Sequence, residues 1–451
     1  MKVAIIGSGP LGLESALHLL SLEAEVVLFS DGNKGGSVAR ICELVHDLPL
    51  WDSWNQATSK LGRDFSGKSF LGNEKISNLD YLENYFLPIY EKLKELSVVR
   101  EVVVDRVTKT VLKKSETPKS SSRLADLFRV TFRMNTKDLV KMQKDANEQV
   151  FEGMNEQLLA SLKRSIEMSE DFDVVIDARG SNHVNPIGSA NSYCLNEKYF
   201  NTKSNFLVGI PGIEQLEDIR SKAKNITICG EELLSSFWIY LLKDWIFEDS
   251  GRQLFIISEN KDIANQLGQT GNDQVDTCVQ AILEKNNIQI QKSAKSLENA
   301  IKKWEKLEDY ERVKVPKPQE EKPKIEFYAG FSTISIDQME GNNCFFLTME
   351  PKRDLESHLT HEYFVKTLST DYIVNANNVS LENSIFSHLQ TNFDLDNLEA
   401  SKDGFLHPEP GLYSLSNAKD ISKIKPSELI ETGIKKLPKV VDNLMNYFNK
   451  K

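Results

Sequence analysis

Gly7, Gly9 and Gly12 follow the apolar run Val3 to Ile6 in G-x-G-x-x-G spacing. Those residue types at that spacing suit one chemistry, the holding of a pyrophosphate. Gly7 permits a tight turn, Gly9 lets the backbone approach the phosphates, and Gly12 lets the next helix pack close to the strand. The ligand's charge then rests on the helix N-terminus, whose N–H groups lack intrahelical partners. The flanking residues supply the elements. Ala16, Leu17, Leu19, Leu20 and Leu22 give an apolar helical stripe, and Val26 to Phe29 gives a second strand that stops at Ser30-Asp31. Strand, turn, helix and strand within about 30 residues form the dinucleotide-binding unit.

Other reactive residue types carry less. His358 and His361 share a helical face at i, i+3 and lie beside Glu356 and Glu362, but no further ligand spacing supports a metal site, so surface histidines are the expectation. Trp51, Trp54 and Arg40 are able to stack on a ring or hold a carboxylate; a core tryptophan pair is the competing reading. Cys42, Cys194, Cys229, Cys278 and Cys344 form no C-x-x-C pair. That argues against a zinc site or a local redox disulfide and fits a reducing cytosol.

Further along, residues 37–75 read as irregular structure, 79–96 as a helix, 101–112 and 128–134 as strands, and 172–176 as a buried strand ending in Asp177-Ala178-Arg179-Gly180. Residues 137–168 form a long charged amphipathic stretch, expected to be a solvated helical insertion. A second α/β unit starts at Asn225, with a strand over 226–229, a turn at Gly230, a helix over 233–247 and a strand over 253–257. Residues 273–286 then predict a helix, 288–291 a strand and 297–307 another helix. The Pro-, Lys- and Glu-rich stretch 313–324 reads as an exposed connector, and strands return from Ile325. Residues 426–448 predict a C-terminal amphipathic helix.

The 451 residues suffice for two or three domains. A net charge of −11 makes nucleic acid or an anionic membrane an unsuitable main partner. The apolar N-terminus is broken by the glycine turn and Glu14, so it does not read as a signal peptide, and the stretch 237–247 is too short to span a bilayer. The expected location is cytoplasmic.

The layout resembles the flavoprotein superfamily with two dinucleotide-binding domains, which includes flavin monooxygenases and pyridine nucleotide–disulfide reductases. The resemblance rests on GSGPLG at the N-terminus, Gly35-Gly36 after the second strand, VVIDARG over 174–180 with a second copy in DYIVNANN, HPEPGLYSLSNAKD over 407–420, and ELIETGIKKLPKVVDNLM over 428–445. It implies an α/β fold, a Rossmann-like FAD-binding domain split by an inserted Rossmann-like NAD(P)-type domain. The expected parts are 1–205 and 325–451 for the FAD domain and 206–320 for the insertion. By this resemblance Gly7, Gly9 and Gly12 hold the FAD pyrophosphate, Ser30 and Asp31 lie by the ribose, Gly35, Gly36 and Gly180 approach the cofactor, and Val104 sits beside the adenine. Ser416, Asn417, Thr432 and Gly433 flank the ribityl chain and isoalloxazine.

The chain departs from that pattern in four places. Ser30 stands where the family has a carboxylate for both ribose hydroxyls, with Asp31 one residue on. The inserted unit's turn reads Gly230-Glu231-Glu232-Leu233-Leu234-Ser235, and two carboxylates there suit the helix dipole but repel a pyrophosphate. Conventional NADPH binding is therefore not expected, NADH by this route is weakened, and a structural role for the lobe is the stronger reading. Asn417 replaces the family's flavin-side Asp. Neither a redox cysteine pair nor the monooxygenase fingerprint is present, which leaves His407 as a weak acid–base candidate against a loop-capping role. The leading reading is an FAD-dependent oxidoreductase of a small organic substrate. Its rivals are a non-catalytic dinucleotide-binding scaffold and, less favoured, an FAD-dependent amine oxidase. A homodimer is left open.

Overall fold

The computed structural model describes residues 1–32, 36–45, 49–51, 58–67, 76–110, 126–134, 167–180, 183–249, 251–319, 321–339, 343–352, 365–380, 384–389, 411–415 and 426–450. They divide into two compact units, Met1–His183 with Ser380–Lys451, and Val184–Val379. The second unit is wider than the insertion expected at 206–320. Strand pairing is the reason: Ile325–Ala329 and Tyr372–Ala376, assigned from sequence to the returning FAD domain, are hydrogen-bonded into the second unit's own sheet.

In the first unit, β1 (Lys2–Ile6) lies between β2 (Glu25–Ser30) and the strand Val174–Asp177, parallel to both. Val99–Thr110, here β3, pairs parallel with β2 and then antiparallel with β4 (Leu127–Met134), which pairs with β5 (Glu167–Phe172). With β6 (Val174–Asp177) and a last strand, Leu412–Ser414, they make a seven-stranded sheet. β1 and β2 are near-continuous apolar runs because both faces of the sheet are covered. On one face Val3, Ile5, Leu28, Val174 and Ile176 pack with α1 (Pro10–Leu20) and the C-terminal helix Pro426–Lys450. On the other, Ala4, Ile6, Val27, Phe29 and Val175 pack with Val107, Phe128, Phe132, Phe172 and Phe386. Each fully buried aliphatic or aromatic side chain of this kind contributes roughly 1.5–3 kcal/mol.

Residues 37–75 are more regular than their sequence suggests. Their described parts include α2 (Gly36–Leu44), a strand Pro49–Trp51 paired with Ile76–Ser77, and α3 (Lys60–Ser66). α3 is seven residues long, too short for periodicity to reveal, and is fixed by its ends. The Ser59 side chain accepts from the Gly62 N–H, and Gly67 closes the helix at φ 73°. The helix expected over 79–96 is present, with one π-helical stretch at Tyr81–Phe86 leading into α4 (Leu87–Glu95). The charged stretch 137–168 lies outside the described residues apart from Glu167 and Met168, which are in β5.

The second unit repeats the scheme. β7 (Phe206–Val208) opens a five-stranded parallel sheet. β8 (Asn225–Gly230) lies between β9 (Gln253–Ser258) and Tyr372–Ala376, as β1 lies between β2 and β6, and β10 (Ile325–Ala329) forms the far edge. Helix α5 (Ile213–Lys222) precedes β8, and α6 (Glu232–Leu241) follows it. A separate antiparallel sheet holds Phe331–Gln338, Phe345–Pro351 and Lys366–Thr370. α7 (Asp273–Trp304) runs unbroken for 32 residues, which corrects the strand expected at 288–291 and the separate helix at 297–307. Ile288 and Ile290 alternate as in a strand. Yet Ile290, Leu297, Ile301 and Trp304 continue a half-buried helical stripe, and the connector returns along it. The Trp304 indole donates to the Val315 carbonyl at 2.9 Å, and the Ser293 hydroxyl to Glu321 at 3.0 Å.

Candidate dinucleotide site

The three glycines of the first turn do different things. Gly7 has φ 110°, and a Cβ there would stand 2.6 Å from the Ala178 carbonyl oxygen and 2.7 Å from Arg179 Cα. A methyl at Gly12 would overlap the Gly7 carbonyl oxygen. Packing alone requires both. Gly9 is different: φ is an ordinary −70°, and among the described residues a Cβ would meet nothing within 4 Å. Open space therefore lies in front of α1, whose N-terminus has no side-chain cap and begins with Pro10. An open cradle at an uncapped helix N-terminus fits a pyrophosphate. Gly180, at φ 67°, also has nothing within 4 Å of a Cβ among the described residues.

At the end of β2 the Ser30 side chain is buried. Its hydroxyl lies 2.8 Å from the Ser8 hydroxyl and accepts from the Gly32 N–H at 3.3 Å. Asp31 lies beyond the strand end and is exposed. At the end of β6 Arg179 folds back on Asp177 (Nε to Oδ1 2.9 Å, Nη2 to Oδ2 3.1 Å), with the guanidinium 5.1 Å from the Phe386 ring centroid. Val104 lies in β3 at a register shift between Val104 and Arg106, and its side chain packs on the Phe29–Phe132 core. Gly36 starts α2, and Arg40 is half-buried in it. Thr432 and Gly433 sit inside the C-terminal helix, which starts at Pro426. Thr432 is exposed, whereas Gly433 is buried and a Cβ there would be 2.5 Å from a Leu11 methyl, so this glycine lets the C-terminal helix approach α1. Gly35, Ser416, Asn417, His407, Trp54, His358 and His361 lie outside the described residues, as does the Trp51 side chain.

Two groups near the turn were not singled out from sequence. Glu14, in α1, is 1 % exposed; it accepts from the Tyr85 hydroxyl and from the Ser59 N–H at 3.0 Å. Burial, then the Glu14 charge, pushes the Tyr85 phenol well above its ordinary range, so it remains a donor. Glu101, in β3, faces Ser30 in register and accepts from the Tyr90 hydroxyl at 3.1 Å. Both follow from contacts between segments distant in sequence, which periodicity does not report.

The corresponding place in the second unit is built differently. Gly230 packs as Gly7 does, since a methyl there would overlap the Ala376 carbonyl. Where Gly9 leaves open space, however, this turn carries Glu232, with Glu231 before it as the helix N-cap. Burial, then Glu232 and Glu259, pushes the Glu231 carboxyl up. Burial also pushes the Glu259 carboxyl up, but Lys352 and the Ala190 and Ser332 donors outweigh it and hold it below its ordinary value. Glu259 directly follows β9 (Gln253–Ser258). It is tied to Lys352 at 2.9 Å, to the Ala190 N–H at 3.0 Å and to the Ser332 hydroxyl at 3.0 Å. These residues do not fit a dinucleotide: the phosphate position holds carboxylates, and the ribose position is committed to internal partners. Among the described residues no cluster of His, Cys, Asp and Glu is arranged to hold a metal, and no helix is long and apolar enough to cross a membrane.

No protein-family model matches the chain, and no curated protein matches it. Solved structures similar to it include thioredoxin reductase of Lactococcus lactis (11 % identity, TM-score 0.49, covering 100 % of this chain and 99 % of that one). Another is DfoA of Erwinia amylovora, a cadaverine monooxygenase of desferrioxamine biosynthesis, solved bound to FAD (11 %, 0.49, 96 % and 93 %). A third is thioredoxin reductase of T. acidophilum (12 %, 0.49, 98 % and 98 %). The fold described above stands on its own strand order: a mixed seven-stranded sheet and a parallel five-stranded sheet, each with a strand–glycine turn–helix element, the second unit's chain falling between the two pieces of the first unit's chain.

Proposed function

We propose that this chain is an FAD-dependent oxidoreductase of a small organic substrate, with the dinucleotide held on the first unit and no conventional NAD(P)H site on the second. Gly9 carries the reading. Neither backbone conformation nor packing requires glycine there, whereas a pyrophosphate approaching α1 does. When bound, the flavin supplies the redox chemistry, so a protein acid or base is not obligatory. The residues of the chain bind and orient. The turn at Gly7–Gly12 accommodates the phosphates, Gly180 leaves room beside them, and the buried Ser8–Ser30 pair closes the turn from below.

A non-catalytic scaffold is the second reading, favoured by Glu231 and Glu232 in the inserted unit. The visible spectrum of the purified protein, before and after excess FAD, separates the two. Paired near-ultraviolet and blue flavin bands, followed by bleaching on anaerobic addition of dithionite and recovery in air, support a redox role. A colourless protein that takes up no FAD removes the oxidoreductase reading.

A further inference from the structure

We infer that the second half of α7, with the turn that follows it, is an arm that docks on a second copy of this chain, two copies exchanging arms across a two-fold axis. The inference stands apart from the FAD reading. The last buried residue of α7 is Asn286, 1 % exposed. The helix then runs on to Trp304, roughly 27 Å further at 1.5 Å per residue. From 287 to 323 no described residue is buried. A helical extension of that kind is marginal in water when its own chain does not pack against it. The return of 313–322 covers the stripe of Ile290, Leu297, Ile301 and Trp304, and the other sides of the helix are exposed.

Two features of those exposed sides point to the occupant. Lys292, Lys295, Lys303 and Lys306 lie opposite the half-buried stripe. All four are exposed, and among the described residues no hydrogen bond or ion pair engages their ammonium groups. The chain carries −11 overall, hence −15 outside these four, so the surface of another copy is electrostatically complementary to the ridge. A long polyanion is a poorer match, because the rest of the chain repels it. An anionic membrane would need apolar side chains along the ridge, where the helix offers Ile288 alone, at its base. At the far end Tyr310 and Val313 are 66 % and 88 % exposed. That end is ordered: the Trp304 indole donates to the Val315 carbonyl at 2.9 Å, and the Arg312 guanidinium lies 5.6 Å from the Trp304 ring centroid. An ordered apolar tip beside a charged ridge has the make-up of an anchor with a polar rim. Each copy brings one arm and one receiving surface, so a two-fold axis closes the exchange; without it the contact would run on from copy to copy.

Sedimentation velocity of the full chain, from about 1 to 200 µM, tests this. A dimer is expected with a Kd of about 10 µM, weakened when NaCl is raised from about 0.1 to 0.5 M. Tyr310→Ala combined with Val313→Ala should raise the Kd at least about tenfold. Changing the four lysines together to glutamine should do the same and also remove most of the salt dependence. Circular dichroism and melting temperature at low protein concentration establish that each variant is folded, as expected for substitutions at exposed positions. A chain that stays monomeric throughout overturns the inference. So does a dimer that both variants leave intact, which would place the interface elsewhere, and so does a mass that keeps rising beyond the dimer. A monomeric chain that binds a short DNA duplex or phosphatidylserine vesicles through the same lysines would give the arm a polyanion as its occupant and overturn the assignment as well.

Discussion

Gly9 and Gly12 share a motif, yet substitution should separate folding from binding. Gly12→Ala forces a methyl into the Gly7 carbonyl oxygen, an overpacking expected to cost about 1–3 kcal/mol or more, because backbone rather than a flexible side chain must move. Gly9→Ala adds a methyl to open space at an ordinary φ, so stability should change by less than about 1 kcal/mol, within the range of N-cap substitutions. FAD affinity should nonetheless fall at least tenfold, since the methyl occupies the approach of the phosphates. Urea titration and flavin fluorescence measure the two effects; a Gly9→Ala protein that binds FAD as tightly as wild type would contradict the assignment. Glu14 makes a different case. It is buried, and among the described residues its Oε2 has no hydrogen-bond partner, with His18 Nδ1 4.0 Å away. Glu14→Ala strands the Tyr85 hydroxyl and the Ser59 N–H in the core and opens a cavity, an expected loss of about 2–4 kcal/mol. Glu14→Gln keeps an acceptor for both donors and should lose less than half as much. Equal losses in urea would mean that the carboxylate acts through its charge and not as an acceptor.

The elements divide into those that local pattern specifies and those that tertiary contacts specify. β1, α1 and β2 were legible because apolar period, glycine spacing and strand ends agree over one short stretch, and the turn at Gly7–Gly12 was legible with them. The strand at 288–291 was misread because Ile288 and Ile290 fit both periods over four residues, and only the return of 313–324 along α7 decides between them. Glu101 and Glu14 were invisible for a related reason: each is one polar residue in an ordinary pattern, made significant by a partner supplied by another element. The carboxylates at the start of α6 were legible, and their consequence can be measured. Glu231 has a folded value above its ordinary 4.5 because of burial, Glu232 and Glu259. The folded state therefore holds the proton more tightly. Its contribution to stability is complete below the ordinary value and is lost as pH rises through the raised folded value. Glu231→Gln should raise stability at pH 7 and leave it unchanged near pH 3.5; a variant equally stabilised at both would show that packing, not charge, is responsible. The same carboxylates predict that NADPH produces no saturable fluorescence change up to about 1 mM, whereas an ordinary Rossmann turn with an open second glycine binds it far more tightly.

At the scale of the whole molecule, two α/β units of one design carry opposite chemistry at equivalent turns, and this bears on how the protein should unfold. Val184–Val379 is one continuous stretch with its own five-stranded sheet, whereas the first unit is assembled from two pieces of chain. The continuous unit is expected to fold when expressed alone, since no strand of its five-stranded sheet comes from elsewhere. FAD at 100 times its Kd should stabilise a unit that binds it by about 2.7 kcal/mol and leave a non-binding unit where it was. Calorimetry of the full chain should then resolve two transitions, only one of which moves with FAD. The isolated 184–379 fragment should reproduce the transition that does not move. Glu14→Ala should lower the FAD-responsive transition, and Glu231→Gln should raise the other at neutral pH. A single transition that shifts as a whole with FAD would mean that the units unfold together. A fragment that binds FAD would place the cofactor on the wrong unit and overturn the division of labour read from Gly9 and Glu232. The two outcomes are independent, because cooperativity concerns coupling between the units, whereas flavin uptake by the fragment concerns one turn and the charges at its mouth.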